Sequence, residues 1–485
     1  MLVIATIIIY FALLFSISRV TNKSGNSDSV FFKGENKSPW YIVAFGMIGA
    51  SISGVTFVSV PGMVQHIDMT YMQMVMGFFF GYIIVAEVLL PLYYKLKLTS
   101  IYTYLGSRIG PKTYQIGSIF FLLSRMLGTA AKLYLVCLIL QRFVFTEHLH
   151  LPLWVIATGA VLLVWLYTHK SGIKTIVWTD ALQTLCLVLA LIAIIFSVMS
   201  QLDFNILDAI NTIQDSPHSR LFVFDDWMSK HNFFKQFLSG VFIVIVMTGL
   251  DQDMMQKNLT CKNLKDARKN MYTYGFAFIP LNLLFLSLGI LLVVLSGQLN
   301  ITLPTHSDDM LPMLATEGYL GVGVTVLFTI GIIAAAFSNS DSALTAMTTS
   351  VCIDLLKTDK KEPKIALRKR QVVHFLLSII LILCICFVDI IDSPTVIDAI
   401  YIIASYTYGP LLGIFSFGLF TKRATKDNFV PYIAIAAPIL SYFLSIGVAK
   451  QFGYQMGYEL LMLNGFITFC GLYMLSKPLN FQTKC

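Results

Sequence analysis

Charge is scarce in this sequence. Only 12% of its 485 residues are Asp, Glu, Lys or Arg, while 56% are hydrophobic. A soluble domain carries roughly twice that charged share, so a soluble globular fold is excluded. Catalytic groupings are also missing. His66 and His169 stand alone near span ends, and His148 and His150 share a short loop with no cysteine beside them. No CxxC pair, zinc-like Cys/His spacing or Ser/His/Asp grouping occurs, so an enzyme reading finds no footing. Of eight cysteines, Cys137, Cys186, Cys352, Cys384, Cys386 and Cys470 lie in or beside apolar runs and read as small buried residues. Leu2 to Ser18 is apolar but lacks a basic n-region and a small-residue cleavage site. It reads as a retained span, not a signal peptide.

What remains is an all-α polytopic membrane protein. After the first span and a polar loop at 19–39, apolar stretches run at roughly 40–64, 71–94, 114–142, 152–169, 175–199, 234–256, 271–297, 319–356, 371–388, 396–420, 428–447 and 456–475. Each is long enough to cross a bilayer or nearly so, giving about thirteen spans. The net charge of +8 invites a nucleic-acid or lipid-surface reading, but its distribution speaks for topology. With the N-terminus outside, alternate loops carry 27 of the 34 Lys and Arg, as the positive-inside rule requires. Five lie outside, and Arg125 and Lys132 lie within a span. The C-terminus is then inside.

The richest chemistry is in Gly331–Ser350, GIIAAAFSNSDSALTAMTTS. Ser338, Asp341, Ser342, Thr345 and Thr349 recur at helical spacing and share one face. A carboxylate with a ladder of hydroxyls at membrane depth must face protein or a wet cavity. Such oxygens suit a small hard cation; hydroxyls that merely join packed helices are the plainer alternative. A second unusual stretch is Gly46–Gly62, GMIGASISGVTFVSVPG, whose glycines, serines and Pro61 make a poor continuous helix. Broken backbone inside a membrane is tolerated where it lines a cavity and offers its carbonyls. The seventh span, ending in Asp251-Gln252-Asp253, is a second glycine-interrupted helix. Interrupted helices at matching positions of two halves point to a transporter built from inverted repeats.

Three stretches then resemble the sodium:solute symporter family. They are LPLYYKLKLTSIYTYLGSRIG at 90–110, YTHKSGIKTIVWTDALQ at 167–183 and GLDQDMMQKNLTCKNLKDARK at 249–269. In the first, Thr103 stands where Glu is common; in the second, Ser171 replaces a Gly. The resemblance implies a LeuT-type fold, a 5+5 inverted repeat and Na+-driven symport. It implies sodium ligands at the carbonyls of Gly49, Ile52 and Ala335 and the side chains of Ser338 and Asn339, the last usually Ser or Thr. A second ion near Asp180 and Asp341 is a further expectation; a structural or gating role for Asp180 is its alternative. The family's sugar and proline pockets are not reproduced, since the equivalent positions read Val244, Met247 and Thr248, and Ser51.

The expected organisation is a first helix and loop at 1–39, a first repeat at 40–199, an outside loop at 200–233, a second repeat at 234–427 and two final helices at 428–485. The solute cavity is expected between Ser51, Ser53, Thr56, Gln73, Arg125, Lys132, Thr248 and Gln252. Arg125 and Lys132 sit seven residues apart on one face. They suggest an anionic solute such as a carboxylate or sugar acid; pairing with Asp180, Asp251 or Asp341, or snorkelling, is the competing account. The reading is a symporter of Na+ and a small organic solute in a bacterial cytoplasmic membrane. Proton coupling through Asp341 and Asp180, and a membrane-embedded sensor, are its rivals.

Overall fold

A computed structural model describes residues 2–21, 38–145, 151–168, 173–388, 396–478. His148, His150, His169 and Ser171 fall outside that set. Seven helices are long and apolar enough to cross a membrane by length and composition: α4 (Tyr71–Lys95), α5 (Pro111–Phe143), α7 (Thr175–Gln201), α10 (Leu264–Gln298), α11 (Val322–Leu355), α12 (Pro363–Val388) and α15 (Asp427–Phe452). Three further candidates are bent pairs: α2 (Trp40–Ser51) with α3 (Gly54–Ile67) at 58°, α8 (Phe233–Gly249) with α9 (Gln252–Asn258) at 69°, and α13 (Val396–Thr407) with α14 (Gly409–Phe420) at 45°. Shorter apolar helices are α1 (Ala5–Ile17), α6 (Leu153–Thr168) and α16 (Leu460–Met474).

The breaks follow local chemistry. At Ile52 (φ −77°, ψ 84°) the backbone leaves the helical region, and the Ser53 N–H turns to the Ser51 carbonyl, 3.0 Å away. The Gly49 carbonyl thereby loses the donor that a continuous helix would supply. At the second break Asp251 caps α9, accepting from the N–H groups of Asp253 and Met254. The third break, at Gly409-Pro410, interrupts what the sequence reads as one span. Pro410 removes a donor there, and a Cβ on Gly409 would lie 2.3 Å from Asn464 Nδ2.

Small residues bring the halves together. A Cβ on Gly77 would lie 2.1 Å from the Phe237 carbonyl, and one on Gly240 would lie 2.2 Å from the Met74 carbonyl. So α4 and α8 touch backbone to backbone, as small residues allow within membranes. Loops assigned to one side also meet one another. Ser38 bonds to Thr260, Arg108 to the carbonyls of Gly418 and Thr421, and Asp427 caps Lys112 and Thr113. At the other end His218 pairs with Asp68, and Gln73 bonds to the loop at Val223 and His231.

Candidate functional site

The break between α2 and α3 faces α11 and α7. On α11, Ser338 and Asn339 are buried. The Asn339 amide donates from Nδ2 to the Ala50 carbonyl at 2.9 Å, crossing to the broken helix. Its Oδ1 is buried and has no hydrogen-bond partner. A buried carbonyl oxygen without a donor is costly, unless a cation completes it. Ser338 Oγ donates to Asp180 Oδ1 of α7 at 2.7 Å, which leaves its lone pairs available. With the freed Gly49 carbonyl, these oxygens fit a small hard cation. The size of Asn339 is accommodated by the bond that ties its nitrogen to Ala50.

Beside this oxygen cluster is a chain of buried charges. Lys257 Nζ lies 2.8 Å from Asp180 Oδ2 and 3.7 Å from Asp253 Oδ1. Arg125 pairs with Asp253, and its other terminal nitrogen lies 3.8 Å from Asp251. Tyr408 donates to Asp251. Asp341 accepts from the Tyr167 hydroxyl at 2.8 Å and from the Ser342 N–H at 2.6 Å.

On the other side of the break is a cavity of about 90 Å³ whose walls include Ser51, Ser53, Thr56, Arg125, Lys132 and Thr248. Aromatic rings close it: Tyr82, Tyr274, Phe78, Phe278 and Tyr401. Tyr82 donates to Tyr274 at 2.7 Å, and Tyr274 bonds to Ser51. Met247 and Thr248 reach the wall from a π-helical turn, Ile245–Gly249; such turns are frequent at functional sites. A second cavity of about 230 Å³, lined by His66, Lys230, His231 and Asp398, lies on the far side of Tyr71. Tyr71 and Tyr401 hydroxyls meet at 3.0 Å between the two.

A sequence model of the sodium:solute symporter family matches residues 31–428. The chain belongs to the sodium:solute symporter family. It is 23% identical over 439 residues to a sodium/sialic acid symporter of Proteus mirabilis, covering 88% of this chain and 86% of that one. It is 24% identical over 439 residues to the human sodium/iodide cotransporter, covering 86% and 65%. Its fold matches a solved Na+-coupled sialic acid symporter in a substrate-bound outward-open state, with a TM-score of 0.83 at 19% identity over 99% of both chains. Mhp1, a nucleobase-cation-symport-1 family transporter, matches with a TM-score of 0.60 at 14% identity, covering 92% and 93%. The protein is therefore a Na+-coupled solute symporter of LeuT-like fold embedded in a membrane, and not an enzyme.

Within this symporter Asp180 and Asp341 lie among the buried charges beside the break, and the other expected site residues divide into three groups. Gly49, Ile52, Ala335, Ser338 and Asn339 belong to the helices that meet at the break and on α11. Ser51, Ser53, Thr56, Arg125, Lys132 and Thr248 share the cavity. Gln73 and Gln252 do not. Gln73 is engaged by the loop as described, and Gln252 bonds to Thr99 O (2.9 Å) and Ile101 N (3.0 Å). Both amides have their oxygen and nitrogen engaged by backbone, so they brace loops instead of facing the cavity. Arg125 is ion-paired, as the competing account held, although mainly to Asp253. Lys132 makes no hydrogen bond or ion pair among the described residues. Sequence reasoning missed the aromatic walls, because Tyr82, Tyr274 and Tyr401 show no spacing that separates them from ordinary core. It also counted Lys257 among loop charges; in the fold only 1% of its side chain is exposed.

Proposed function

We propose that the symporter carries a small organic anion, a carboxylate or sugar acid, into a bacterial cell together with Na+. One observation carries this reading: Lys132, which makes no ion pair among the described residues, brings its amine to the cavity wall alongside Ser51, Ser53, Thr56 and Thr248. The Lys132 side chain is half-buried at that wall, and an anionic solute in the cavity would give it a direct partner. Arg125 has a secondary part, holding the wall while paired to Asp253. Relatives are named for sialic acid, monocarboxylates and iodide, all anionic cargo.

The sodium ligands we assign are the carbonyls of Gly49, Ile52 and Ala335, Ser338 Oγ and Asn339 Oδ1. Of thirteen spans, ten are arranged as repeats at 40–199 and 234–427, with the loop at 200–233 between them. Support for the repeats comes from the bent pairs that open each half, at 58° and 69°. The N-terminus lies outside and the C-terminus inside the bacterial cytoplasmic membrane, following the lysine-rich loops. Coupling is then the difference in affinity of Na+ and solute for outward- and inward-open states.

Thermal unfolding of purified protein in Na+ or choline, against monocarboxylates, sugar acids and neutral sugars, tests the cargo. A ligand at about a hundred times its Kd stabilises by roughly 2.7 kcal/mol. The expected result is a Na+-dependent shift with an acid that disappears in Lys132→Met. A shift given only by neutral sugars, or one with acids that survives Lys132→Met, refutes the anionic cargo.

A further inference from the structure

We infer that the Lys257 ammonium is a built-in cation that stands in for a second coupling ion at Asp180, so that each transport cycle uses one Na+. The inference rests on the sodium ligands assigned above and adds the ion count.

Asp180 is the carboxylate that a second ion would need, and it is already enclosed. Lys257 Nζ approaches one oxygen at 2.8 Å, and Ser342 Oγ donates to that same oxygen at 3.3 Å. The other oxygen accepts from Ser338 at 2.7 Å. Both oxygens therefore face protein donors, one of them a full positive charge. An ammonium is a compact point charge on a flexible stem, which lets it sit where a monovalent ion would.

Withdrawal of Lys257 is opposed by its surroundings. Its side chain is 1% exposed, so there is no water to receive the charge nearby. Among the described residues the one other carboxylate within 4 Å is Asp253, four residues earlier on the same short helix α9. Asp253 holds Arg125 through Oδ2, and its Oδ1, the oxygen that faces Lys257, stays 3.7 Å away from the ammonium. Moving the ammonium off Asp180 would leave that buried carboxylate with hydroxyl donors alone, a costly state. The Asn339 cluster differs in kind. Its Oδ1 has no donor, and no cationic side chain pairs with an atom there among the described residues. One oxygen cluster thus awaits an ion while the other already holds a cation on a tether.

Equilibrium binding of ²²Na+ to the purified full-length protein in detergent, with Na+ as the only probe, tests this. The wild type should saturate at one ion per protein, with a Hill coefficient of about 1. Lys257→Gln should expose Asp180 and raise the count to two, and Lys257→Gln with Asp180→Asn should return it to one. The double variant removes both charges of the pair, so it folds without an orphaned carboxylate. If Lys257→Gln alone does not fold, the wild-type and double-variant counts decide. Two ions in the wild type, or two in the double variant, overturn the inference. Asn339→Ala separates its failure from that of the underlying reading. Loss of the single ion in that variant upholds the ligand assignment, whereas an unaltered single ion sinks the assignment and the inference with it.

Discussion

Adding one methyl group at Gly49 should cripple sodium binding. An alanine Cβ there would lie 2.0 Å from Thr184 Oγ1, 3.0 Å from Thr184 Cβ and 3.1 Å from Thr184 Cα. Rotating Thr184 moves the hydroxyl, at the cost of its 2.7 Å bond to the Asp180 carbonyl, but Cβ and Cα stay. Ordinary contact begins near 3.4 Å, so α2 must retreat from α7 by a few tenths of an ångström at least. Overpacking of this kind costs roughly 1–3 kcal/mol. The retreat is directed at the site, because the assigned carbonyls of Gly49 and Ile52 ride on α2 while Ser338 is tied to α7 through Asp180. A binding constellation loosened by about half an ångström loses its fit. Gly49→Ala should therefore lower the melting temperature in choline and weaken Na+ affinity about tenfold or more, which corresponds to roughly 1.4 kcal/mol. Na+ titration by thermal shift or ²²Na+ binding reads both. An affinity within twofold of wild type, with the melting temperature lowered, would refute the claim that this contact positions the ion ligands.

Three further outcomes are expected. Ser338→Ala removes an assigned ligand and a hydrogen bond to a charged group worth about 1.5–3 kcal/mol; Na+ activation of uptake should shift to much higher concentration with expression unchanged. Burial raises the carboxyl of Asp308, in the loop before α11, to about 6 from 3.8. The folded state therefore holds that proton more tightly than the unfolded one. The stabilisation is complete below pH 3.8 and is lost as pH rises through about 6, amounting to roughly 3 kcal/mol at most. Asp308→Asn keeps an acceptor for the Val396 N–H and should raise the melting temperature at pH 7.5 but not below pH 4; a pH-independent effect contradicts this. Tyr401→Phe deletes the hydroxyl contact with Tyr71, worth about 1 kcal/mol. Labelling of a cysteine placed at Thr248 in a cysteine-free background should accelerate about fivefold, and an unchanged rate would remove the tyrosine pair as a barrier.

Much of the architecture was legible because membrane physics writes it plainly. Apolar length marks the long helices. Gly, Ser and Pro in Gly46–Gly62 mark a break for the same reason that they weaken any helix. The break at Gly409-Pro410 was equally punctuated, yet the apolar run across it masks the bend; what fixes it is Asn464, far along the chain. Groupings of polar side chains were legible where one element carries them, as on α11 or at the α2 break. They were not where the decisive partner comes from elsewhere. Gln73 and Gln252 have the chemistry of ligand-binding amides, and nothing in the sequence near them discloses that loops at Val223 and Thr99 engage both ends. Lys257 looked like a loop charge because the sequence sets it in one basic run with Lys262, Lys265, Arg268 and Lys269.

That misreading bears on how ion and solute are coupled. The seven residues of α9 carry both Asp253 and Lys257, one turn apart, beyond a 69° break. Through Asp253 the helix grips Arg125, a wall of the cavity proposed for the solute; through Lys257 it grips Asp180, and through Asp180, Ser338 of the oxygen cluster assigned to Na+. A short half-helix joined at both ends to binding groups cannot shift without disturbing both sites. Any state in which α9 moves must exchange these ion pairs for others or lose them, and lost buried pairs are expensive. Ion and solute bound at the proposed groups would bias the position of this one element together, which is the physical requirement for reciprocal coupling between two ligands.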